Sequence, residues 1–362
     1  MPLRFDTGPP GGYNKKKETG SWFEASRKPI ESAEGKGNMS VKSSVLNILE
    51  KSKGEPQSGA KMARELGISR NAVWKTVNAL KEEGFLIESS RAGYRYKSGD
   101  SVLSAELISS LLGGLLPEAA VRVREETDST NDLAKREAAL GAPHGTVFLA
   151  DRQTGGKGRL GRSFFSPPGK SVYLSILLKQ DFPRSGTMVT LAAAAAVCEA
   201  VERLTDGKPQ IKWVNDIYLG GRKLCGILTE ASMNFETADF EYMVVGIGVN
   251  VNHRREEFPP ELSEVATSLM AELGREVSRS RLAAEIIRSF FRLYGQIDAP
   301  GFIGQYRSRC FVPGRDIRVL ETGKEPRLAR ALDIDEEGRL LVRFADGEER
   351  ALSSGEISIR TV

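Results

Sequence analysis

The chain has 362 residues, 40% of them hydrophobic, which is enough for two or three domains with packed cores. Its formal net charge of +4 is uneven, because residues 1–100 hold 18 Lys and Arg against 12 Asp and Glu, whereas the remainder holds 34 against 36. The basic first part favours a polyanionic partner. Three widely spaced cysteines exclude a disulfide framework or zinc site, and no apolar run is long enough to span a bilayer, so we expect a cytoplasmic protein.

Residues 1–38 are rich in Gly, Pro, Lys and Ser, and we expect a disordered extension there. Residues 40–98 have the pattern of a winged helix-turn-helix domain. Gly67 suits the end of one short helix, Ser69 suits the cap of the next, and Val73 and Val77 give that second helix an apolar face. The stretch FLIESSRAGYRYK then predicts two strands joined by a basic turn, which form the wing.

The opposite face of the second helix carries side chains that suit contact with phosphates and base edges. The residues predicted to bind DNA are Ser69, Arg70, Asn71, Trp74 and Lys75. For Trp74, packing within the domain is an equally good interpretation.

The rest of the chain predicts an α+β protein. Residues 99–120 read as a linker with a short helix, and residues 121–309 alternate strand-like and helix-like runs, as in a mixed α/β domain. Residues 311–362 alternate with a period of two around turns at Glu337-Gly338 and Asp346-Gly347, which predicts a small β-barrel.

The glycine-rich stretch QTGGKGRLGRSFFSPPGKS, residues 153–171, contains G-x-G-x-x-G and comes close to a P-loop. Both of those motifs need a helix directly after the glycines, and Pro167 and Pro168 disfavour one. A long loop between two strands remains, with the cations Lys157, Arg159 and Arg162. Such a loop suits the binding of a phosphorylated or adenylated ligand.

Four segments in this order resemble the motifs of biotin protein ligases: DSTN (128–131), QTGGKGRLGR (153–162), KWVNDIYLGGRKLCGILTE (212–230) and GIGVNVN (246–252). With the helix-turn-helix and the C-terminal segment, residues 40–362 resemble the bifunctional bacterial form. The resemblance implies a class II synthetase-like catalytic domain and an SH3-like barrel. It also implies that the protein makes biotinyl-5′-AMP from biotin and ATP with Mg²⁺, and biotinylates the biotin carboxyl carrier protein of acetyl-CoA carboxylase. As a homodimer it would repress biotin synthesis genes at operator DNA, with biotinyl-5′-AMP as corepressor.

The resemblance also assigns candidate site residues. The expected catalytic residues are Lys223 and Arg159. The expected biotin-binding residues are Ser129, Thr130, Asn131, Gln153, Lys157, Gly158, Arg159, Lys223 and Gly226. The expected ATP-binding residues are Lys157, Arg159, Arg162, Asn215, Asp216 and Asn250. The chemistry needs no enzyme nucleophile, in keeping with two histidines and no evident Ser-His or Cys-His arrangement.

Two positions depart from the family pattern. Lys157 replaces an arginine, which keeps the charge but loses the bidentate geometry. Val214 replaces a proline in the Trp-Pro-Asn-Asp motif, and we expect little effect. Two other functions stay open: a lipoate-type ligase of the same fold, and a transcription regulator that senses a ligand without ligase activity.

Overall fold

The computed structural model describes residues 40–52, 54–97, 102–117, 120–179, 186–233, 240–299, 301–320, 324–353 and 356–359. The extension predicted for residues 1–38 lies outside the described residues. Within them, no helix combines the length and apolar character needed to cross a membrane.

The first domain confirms the winged helix-turn-helix. Its elements are α1 (Val41–Lys51), α2 (Gly59–Leu66), α3 (Arg70–Glu82), β1 (Ile87–Ser90) and β2 (Gly93–Tyr96). Gly67 ends α2 at φ 66°, and the Ser69 hydroxyl caps α3 by accepting from Ala72 N at 3.0 Å. Val73 and Val77 are fully buried, as the helical spacing requires. The strands of the wing pair antiparallel.

A short helix, α4 (Ala105–Leu112), follows the wing and packs between the first domain and the next. Leu107 belongs to the buried core of the first domain, so the segment predicted as a linker forms part of that core. The first domain is also tied directly to the next one, because Arg281 forms a charge-assisted pair with the buried Glu50 of α1.

The central domain is built on a seven-stranded sheet in the order β3-β4-β5-β9-β8-β7-β6, parallel only between β3 and β4. Its strands are β3 (Val121–Thr127), β4 (Val147–Gln153), β5 (Ser171–Leu178), β6 (Gln210–Lys212), β7 (Asp216–Leu219), β8 (Arg222–Met233) and β9 (Phe240–Asn250). All eight residues of the interior strand β5 are buried, which explains its largely apolar sequence, SVYLSILL.

Helices cover this sheet. They are α5 (Thr130–Ala139), α6 (Gly186–Leu204), α7 (Leu269–Leu273), α8 (Arg279–Tyr294) and α9 (Phe302–Arg307). The alanine-rich α6 is buried from Val189 to Val201, because small side chains let it pack closely against the sheet and α8. The mixed α/β domain predicted from the sequence is therefore confirmed.

The last segment forms a five-stranded antiparallel sheet in the order β13-β12-β11-β10-β14. Its strands are β10 (Asp316–Leu320), β11 (Arg327–Ile334), β12 (Leu340–Phe344), β13 (Glu349–Leu352) and β14 (Glu356–Ile359). Gly338 and Gly347 occupy the two predicted turns at φ 78° and 88°. This sheet meets the central domain where Trp213 Nε1 donates to the Gly338 carbonyl at 3.0 Å.

The Glu50–Arg281 pair yields a stability prediction. Arg281→Ala removes the guanidinium that compensates a carboxylate only 6% exposed, so we expect a loss of about 1–3 kcal/mol in unfolding free energy. Arg330→Ala is the control, because Arg330 and its partner Asp316 are both more than half exposed, and its loss should be below about 1 kcal/mol. Thermal unfolding of both variants measures the difference. An equally small loss of unfolding free energy in Arg281→Ala and Arg330→Ala would contradict a stabilising role for the Glu50–Arg281 pair between the two domains.

Candidate active site

A cavity of about 370 Å³ opens on one face of the central sheet. Its lining comes from the start of α5, the glycine-rich loop between β4 and β5, the β6–β7 connection, β8 and β9, with Leu320 added from the C-terminal domain. The lining residues predicted from the sequence are Ser129, Thr130, Asn131, Gln153, Lys157, Gly158, Arg159, Arg162, Asn215, Asp216, Lys223 and Gly226. The fold thus brings together four segments that lie far apart along the chain.

The glycine-rich loop is a narrow hairpin. Phe164 N donates to the Gly156 carbonyl at 2.9 Å, and Gly158 N donates to the Arg162 carbonyl at 2.7 Å. A Cβ at Gly156 would lie 2.6 Å from Phe164 O and from Ser166 Oγ, so only glycine fits there. The chain continues into β5 without a helix of the kind that a dinucleotide fingerprint or a P-loop requires.

The start of α5 forms a buried polar wall. The backbone N and Oγ1 of Thr130 both donate to Gln153 Oε1, at 2.8 and 3.1 Å, which joins the helix to the end of β4. Ser129 stands at the N-cap position, but its side chain makes no capping hydrogen bond. Asp128 Oδ1 instead accepts from Ser129 N at 2.7 Å, and the paired Arg136 guanidinium holds the pKa of the Asp128 carboxyl well below its usual range.

Two cations, Lys223 and Arg159, lie beside Asp216 and Asn215 at the other end of the cavity. Lys223 Nζ lies 2.7 Å from Asp216 Oδ1, as an ion pair that does not meet the geometry of a hydrogen bond. Arg159 Nη1 donates to Asn215 Oδ1 at 3.1 Å. The described lining holds five cations and one acid, Asp216. The cations are Lys157, Arg159, Arg162, Lys212 and Lys223. Such an excess suits an anionic ligand.

The substituted lysine of the loop has a partner of its own. Lys157 Nζ lies 2.6 Å from Asp132 Oδ2 on the first turn of α5. Burial is the largest single influence on the Asp132 carboxyl and by itself would raise its pKa. The combined hydrogen bonds and charges of Lys157 and Lys135 outweigh burial, so the pKa of Asp132 is lowered. At this position the lysine joins the loop to α5 as an ion pair.

Apolar groups complete the cavity between the polar wall and the cations. Trp213 is 3% exposed and forms part of the lining, and its peptide bond to Val214 is cis. The ring of Phe164 lies over Gly248, where a Cβ would come within 2.7 Å of it. A flat glycine backbone therefore gives the loop and the ligand close access to β9.

Asn250 is the exception among the predicted residues, since it does not belong to the lining. It is buried, and its Nδ2 donates to the Thr267 carbonyl at 3.0 Å. Sequence reasoning also missed part of the lining, most of it residues without a charged side chain. The missed residues are Ser163, Phe164, Tyr173, Lys212, Ile227, Leu228, Gly246, Ile247, Gly248 and Leu320.

The structure does contain a Ser-His pair, contrary to the sequence-based expectation. Ser171 Oγ lies 2.8 Å from His253 Nε2. Both residues are at most 1% exposed and neither lines the cavity, so the pair has no access to a substrate. His253 packs instead against Phe258 and Phe165, with ring centroids 4.9 and 5.8 Å away. The interaction is part of the core.

The predicted DNA-contact residues lie together on the exposed side of α3. Arg70, Asn71 and Lys75 are exposed, and Trp74 is 52% exposed, so packing does not account for the indole. Ser69 is exposed as well, but its hydroxyl is used as the cap of α3. The arrangement offers a polar, cationic helix face to a partner.

Comparison with known families defines the class of protein. The biotin/lipoate A/B protein ligase family matches residues 123–250, an HTH domain matches residues 42–95, and the biotin protein ligase C-terminal domain matches residues 314–360. The chain therefore combines a protein ligase domain of the biotin/lipoate type with a helix-turn-helix domain.

Individual relatives narrow the class. The bifunctional ligase/repressor BirA of Bacillus spizizenii is 33% identical, over 87% of this chain and 97% of that protein, and BirA of Escherichia coli is 30% identical, over 85% and 94%. The solved biotin protein ligase from Aquifex aeolicus in complex with biotin and ATP is 29% identical, with a TM-score of 0.58, over 67% of this chain and 99% of that one. The chain belongs to the family of bifunctional ligase/repressor BirA proteins.

His253 yields a pH prediction. Burial lowers the pKa of its ring to about 4, with further influences from Glu257 and Lys170. Between this pKa and the ordinary value of 6.5, the unfolded chain binds a proton that the folded chain excludes. The stability of the folded chain is therefore unaffected by this histidine above pH 6.5 and decreases as the pH falls from 6.5 toward 4. The loss should be on the order of 3 kcal/mol.

Thermal unfolding between pH 7 and pH 4 measures this effect in the wild type, His253→Gln and the control His144→Gln. We expect His253→Gln to show a shallower fall in stability with decreasing pH than the other two proteins. Parallel curves for all three would contradict the assignment.

Proposed function

We propose that the protein is an ATP-dependent biotin–protein ligase that also represses transcription. Its membership of the BirA family supports both activities. We assign DNA binding to residues 40–98, the linker to 99–120, catalysis to 121–309 and the C-terminal domain to 311–362. A cytoplasmic location, where ATP, the carrier protein and DNA are available, is part of the proposal.

The observation that carries the ligase activity is the division of the cavity between a polar wall and a cationic end. Thr130, Asn131 and Gln153 offer hydroxyl and amide groups that suit the ureido ring of biotin. Lys223 and Arg159, at the other end, suit its carboxylate and the phosphates of ATP. Trp213 and the glycines of β9 leave an apolar space between them for the thiophane ring and the valeryl chain.

In the first step, a carboxylate oxygen of biotin attacks the α-phosphorus of ATP. The bond from that phosphorus to its bridging oxygen breaks, pyrophosphate leaves and biotinyl-5′-AMP remains. Negative charge gathers on the phosphoryl oxygens, and Lys223 and Arg159 stabilise it. Lys157 and Arg162 of the loop add charge around the nucleotide, and Asn215 holds Arg159 in position.

In the second step, the ε-amine of the carrier lysine attacks the carbonyl carbon of the mixed anhydride. An amide bond forms, AMP leaves and the amine loses a proton. The chain contributes position and electrostatic stabilisation to both steps, with no enzyme nucleophile. The loop hairpin covers the anhydride and limits the access of water.

Mg²⁺ accompanies ATP in this proposal. The described residues contain no group of three His, Cys, Asp or Glu side chains that could hold a metal ion. Mg²⁺ needs only one or two protein oxygens when phosphates supply the rest of its shell, and Asp216 and Asn215 lie at the right end of the cavity for this. The bound ion would shield phosphate charge. The buried, hydrogen-bonded position of Asn250 favours a structural role over nucleotide contact.

The repressor activity rests on α3 and the wing. Arg70, Asn71, Trp74 and Lys75 would enter the major groove of operator DNA, and the Ser69 cap would lie close to a phosphate. A helix-turn-helix protein reads two half-sites as a dimer, so we propose a homodimer with biotinyl-5′-AMP as corepressor. If that ligand favours the dimer, DNA binding must favour it in turn.

One experiment separates the proposal from its two alternatives. Purified protein is incubated with ATP, labelled biotin or labelled lipoate, and a biotin carboxyl carrier domain. A biotin ligase labels the carrier with biotin only, a lipoate-type ligase prefers lipoate, and a regulator that only senses a ligand labels nothing and releases no AMP.

Lys223→Ala tests the cationic end of the cavity. We expect biotinyl-AMP formation to slow about 100-fold, because the variant lacks the ammonium that stabilises developing phosphoryl charge. Lys208→Ala, which removes an exposed lysine outside the lining, should stay within about twofold of the wild type. Release of pyrophosphate measures the rate. A similar rate in Lys223→Ala, with unchanged thermal stability, would remove Lys223 from the mechanism.

Arg70→Ala tests the DNA-binding face. The wild type with biotin and ATP should enrich a duplex with two related half-sites from a random library. We expect Arg70→Ala to bind this duplex about 10-fold or more weakly, because a good side-chain contact to a base is worth about 1–3 kcal/mol. Arg330→Ala, on the C-terminal domain, is the control. Enrichment of a duplex with a single, unrepeated site would count against this model of the repressor. So would equal affinity of the wild type, Arg70→Ala and Arg330→Ala for the enriched duplex.

A further inference from the structure

The amide group of Asn131 has its orientation fixed from behind the cavity. Its Nδ2 donates to Glu230 Oε2 at 2.7 Å and to the Leu228 carbonyl at 3.2 Å. A carboxylate and a carbonyl can only accept hydrogen bonds, so the nitrogen must face them and the oxygen must face the other way. Asn131 Oδ1 accepts from Ser175 Oγ at 2.6 Å and lies directly over Gly246, a residue of the cavity lining.

Glu230 lies outside the lining, so it acts through Asn131. Its second oxygen, Oε1, lies 2.6 Å from Lys135 Nζ, and the side chain is 30% exposed. The ion pair holds the carboxylate in the position from which Oε2 accepts the Asn131 amide. Because Nδ2 uses both of its hydrogens on Glu230 and Leu228, the side-chain amide of Asn131 has no hydrogen left to donate to a ligand.

Ser175 supports the polar wall from the buried centre of β5. The residue is fully buried, and its Oγ lies 2.8 Å from Thr130 Oγ1 as well as 2.6 Å from Asn131 Oδ1. Thr130 Oγ1 in turn donates to Gln153 Oε1. Ser175 has one hydroxyl hydrogen, which goes to Asn131 Oδ1, so Thr130 Oγ1 is a close polar neighbour. Ser175 is not a lining residue itself.

We propose that Glu230 and Ser175 are positioning residues that turn the Asn131 amide oxygen toward the cavity, where it accepts a hydrogen bond from an N–H group of the ligand. The inference rests on the proposed function, in which the N–H belongs to the ureido ring of biotin. It also supplies a reason for selectivity. A lipoyl or octanoyl group has no N–H to offer, so it would leave this buried acceptor without a ligand partner.

Direct binding of labelled biotin tests the proposal without catalysis. Glu230→Leu removes the shorter of the two hydrogen bonds that hold the Asn131 amide nitrogen and leaves only the 3.2 Å contact with the Leu228 carbonyl, so the amide is held less firmly with its oxygen toward the ligand; we expect the Kd for biotin to rise about 10- to 100-fold. Glu230→Gln keeps an oxygen that can accept from Asn131, and we expect it to recover most of the affinity. Lys135→Met keeps the Glu230 carboxylate and should change the Kd by less than about fivefold.

Gly246→Ala provides a second route to the same group, because its Cβ would overlap Asn131 Oδ1 and displace the amide. We expect it to weaken biotin binding as Glu230→Leu does, while the Kd for ATP changes little in both variants. Gly304→Ala is the matched control, since a Cβ there meets no atom within 4 Å. Thermal unfolding of each protein shows whether it is folded.

The outcomes separate this proposal from the ligase function. If the wild type binds biotin but makes no biotinyl-AMP, the proposed ligase function is contradicted. The roles of Glu230 and Ser175 are then still decided by comparing the biotin Kd of the wild type with that of the variants. Equal biotin affinity in wild type, Glu230→Leu and Gly246→Ala overturns the positioning. So does an equal loss of biotin and ATP affinity, because that would indicate a general structural defect. A Glu230→Gln variant as weak as Glu230→Leu would overturn it as well.

Discussion

The site depends on how closely two segments approach the bare backbone of β9. Asn131 at the start of α5 lies over Gly246, and Phe164 of the glycine-rich loop lies over Gly248. Side chains at either glycine would push these segments off the sheet, so two residues without side chains set the depth of the cavity. The polar wall and the loop are thereby held against the same strand, although Asn131 and Phe164 are 33 residues apart in the chain.

From this arrangement follows a separation of charge along the cavity. The polar wall is neutral and has its hydrogen bonds largely made within the protein, through Gln153 and Ser175. The other end carries Lys223 of β8 and Arg159 of the loop, compensated in part by Asp216. A ligand with a neutral polar ring at one end and an anionic group at the other matches this gradient, and a reversed ligand would leave both ends poorly satisfied.

The sequence predicted elements well where periodicity is strong and poorly where tertiary contacts decide. Helices α5, α6 and α8 and strands β4, β5 and β9 account for most of the strand-like and helix-like runs of residues 121–309, because their apolar residues repeat regularly. Strand β3 has no such pattern, since residues 124–126 are exposed and charged and only its pairing with β4 makes it a strand. The run PQIKWVNDIYL has the pattern of a single strand, but it turns back on itself to give β6 and β7.

The same distinction applies to the site. Cations and amides in recognisable motifs were found, whereas Gly246, Gly248 and Phe164 were missed because their contribution is shape. Asn250 was selected for its amide, although the β9 register points that amide to Thr267. The Ser171–His253 pair was not foreseen, because only the pairing of distant segments brings residues 82 positions apart into contact.

The junction between the two activities has a physical basis in the start of α8. Arg279 is 4% exposed, and its guanidinium donates to Asp151 Oδ1 at 2.6 Å and to the Ser171 carbonyl at 3.2 Å. The other carboxylate oxygen of Asp151, Oδ2, accepts from Gly169 N. These contacts hold the two strands that carry the glycine-rich loop. Two residues further on, Arg281 pairs with Glu50 of the DNA-binding domain. One helix start therefore contacts both the strand ends of the glycine-rich loop and the helix-turn-helix domain, which makes it the shortest physical connection between the cavity and that domain among these contacts.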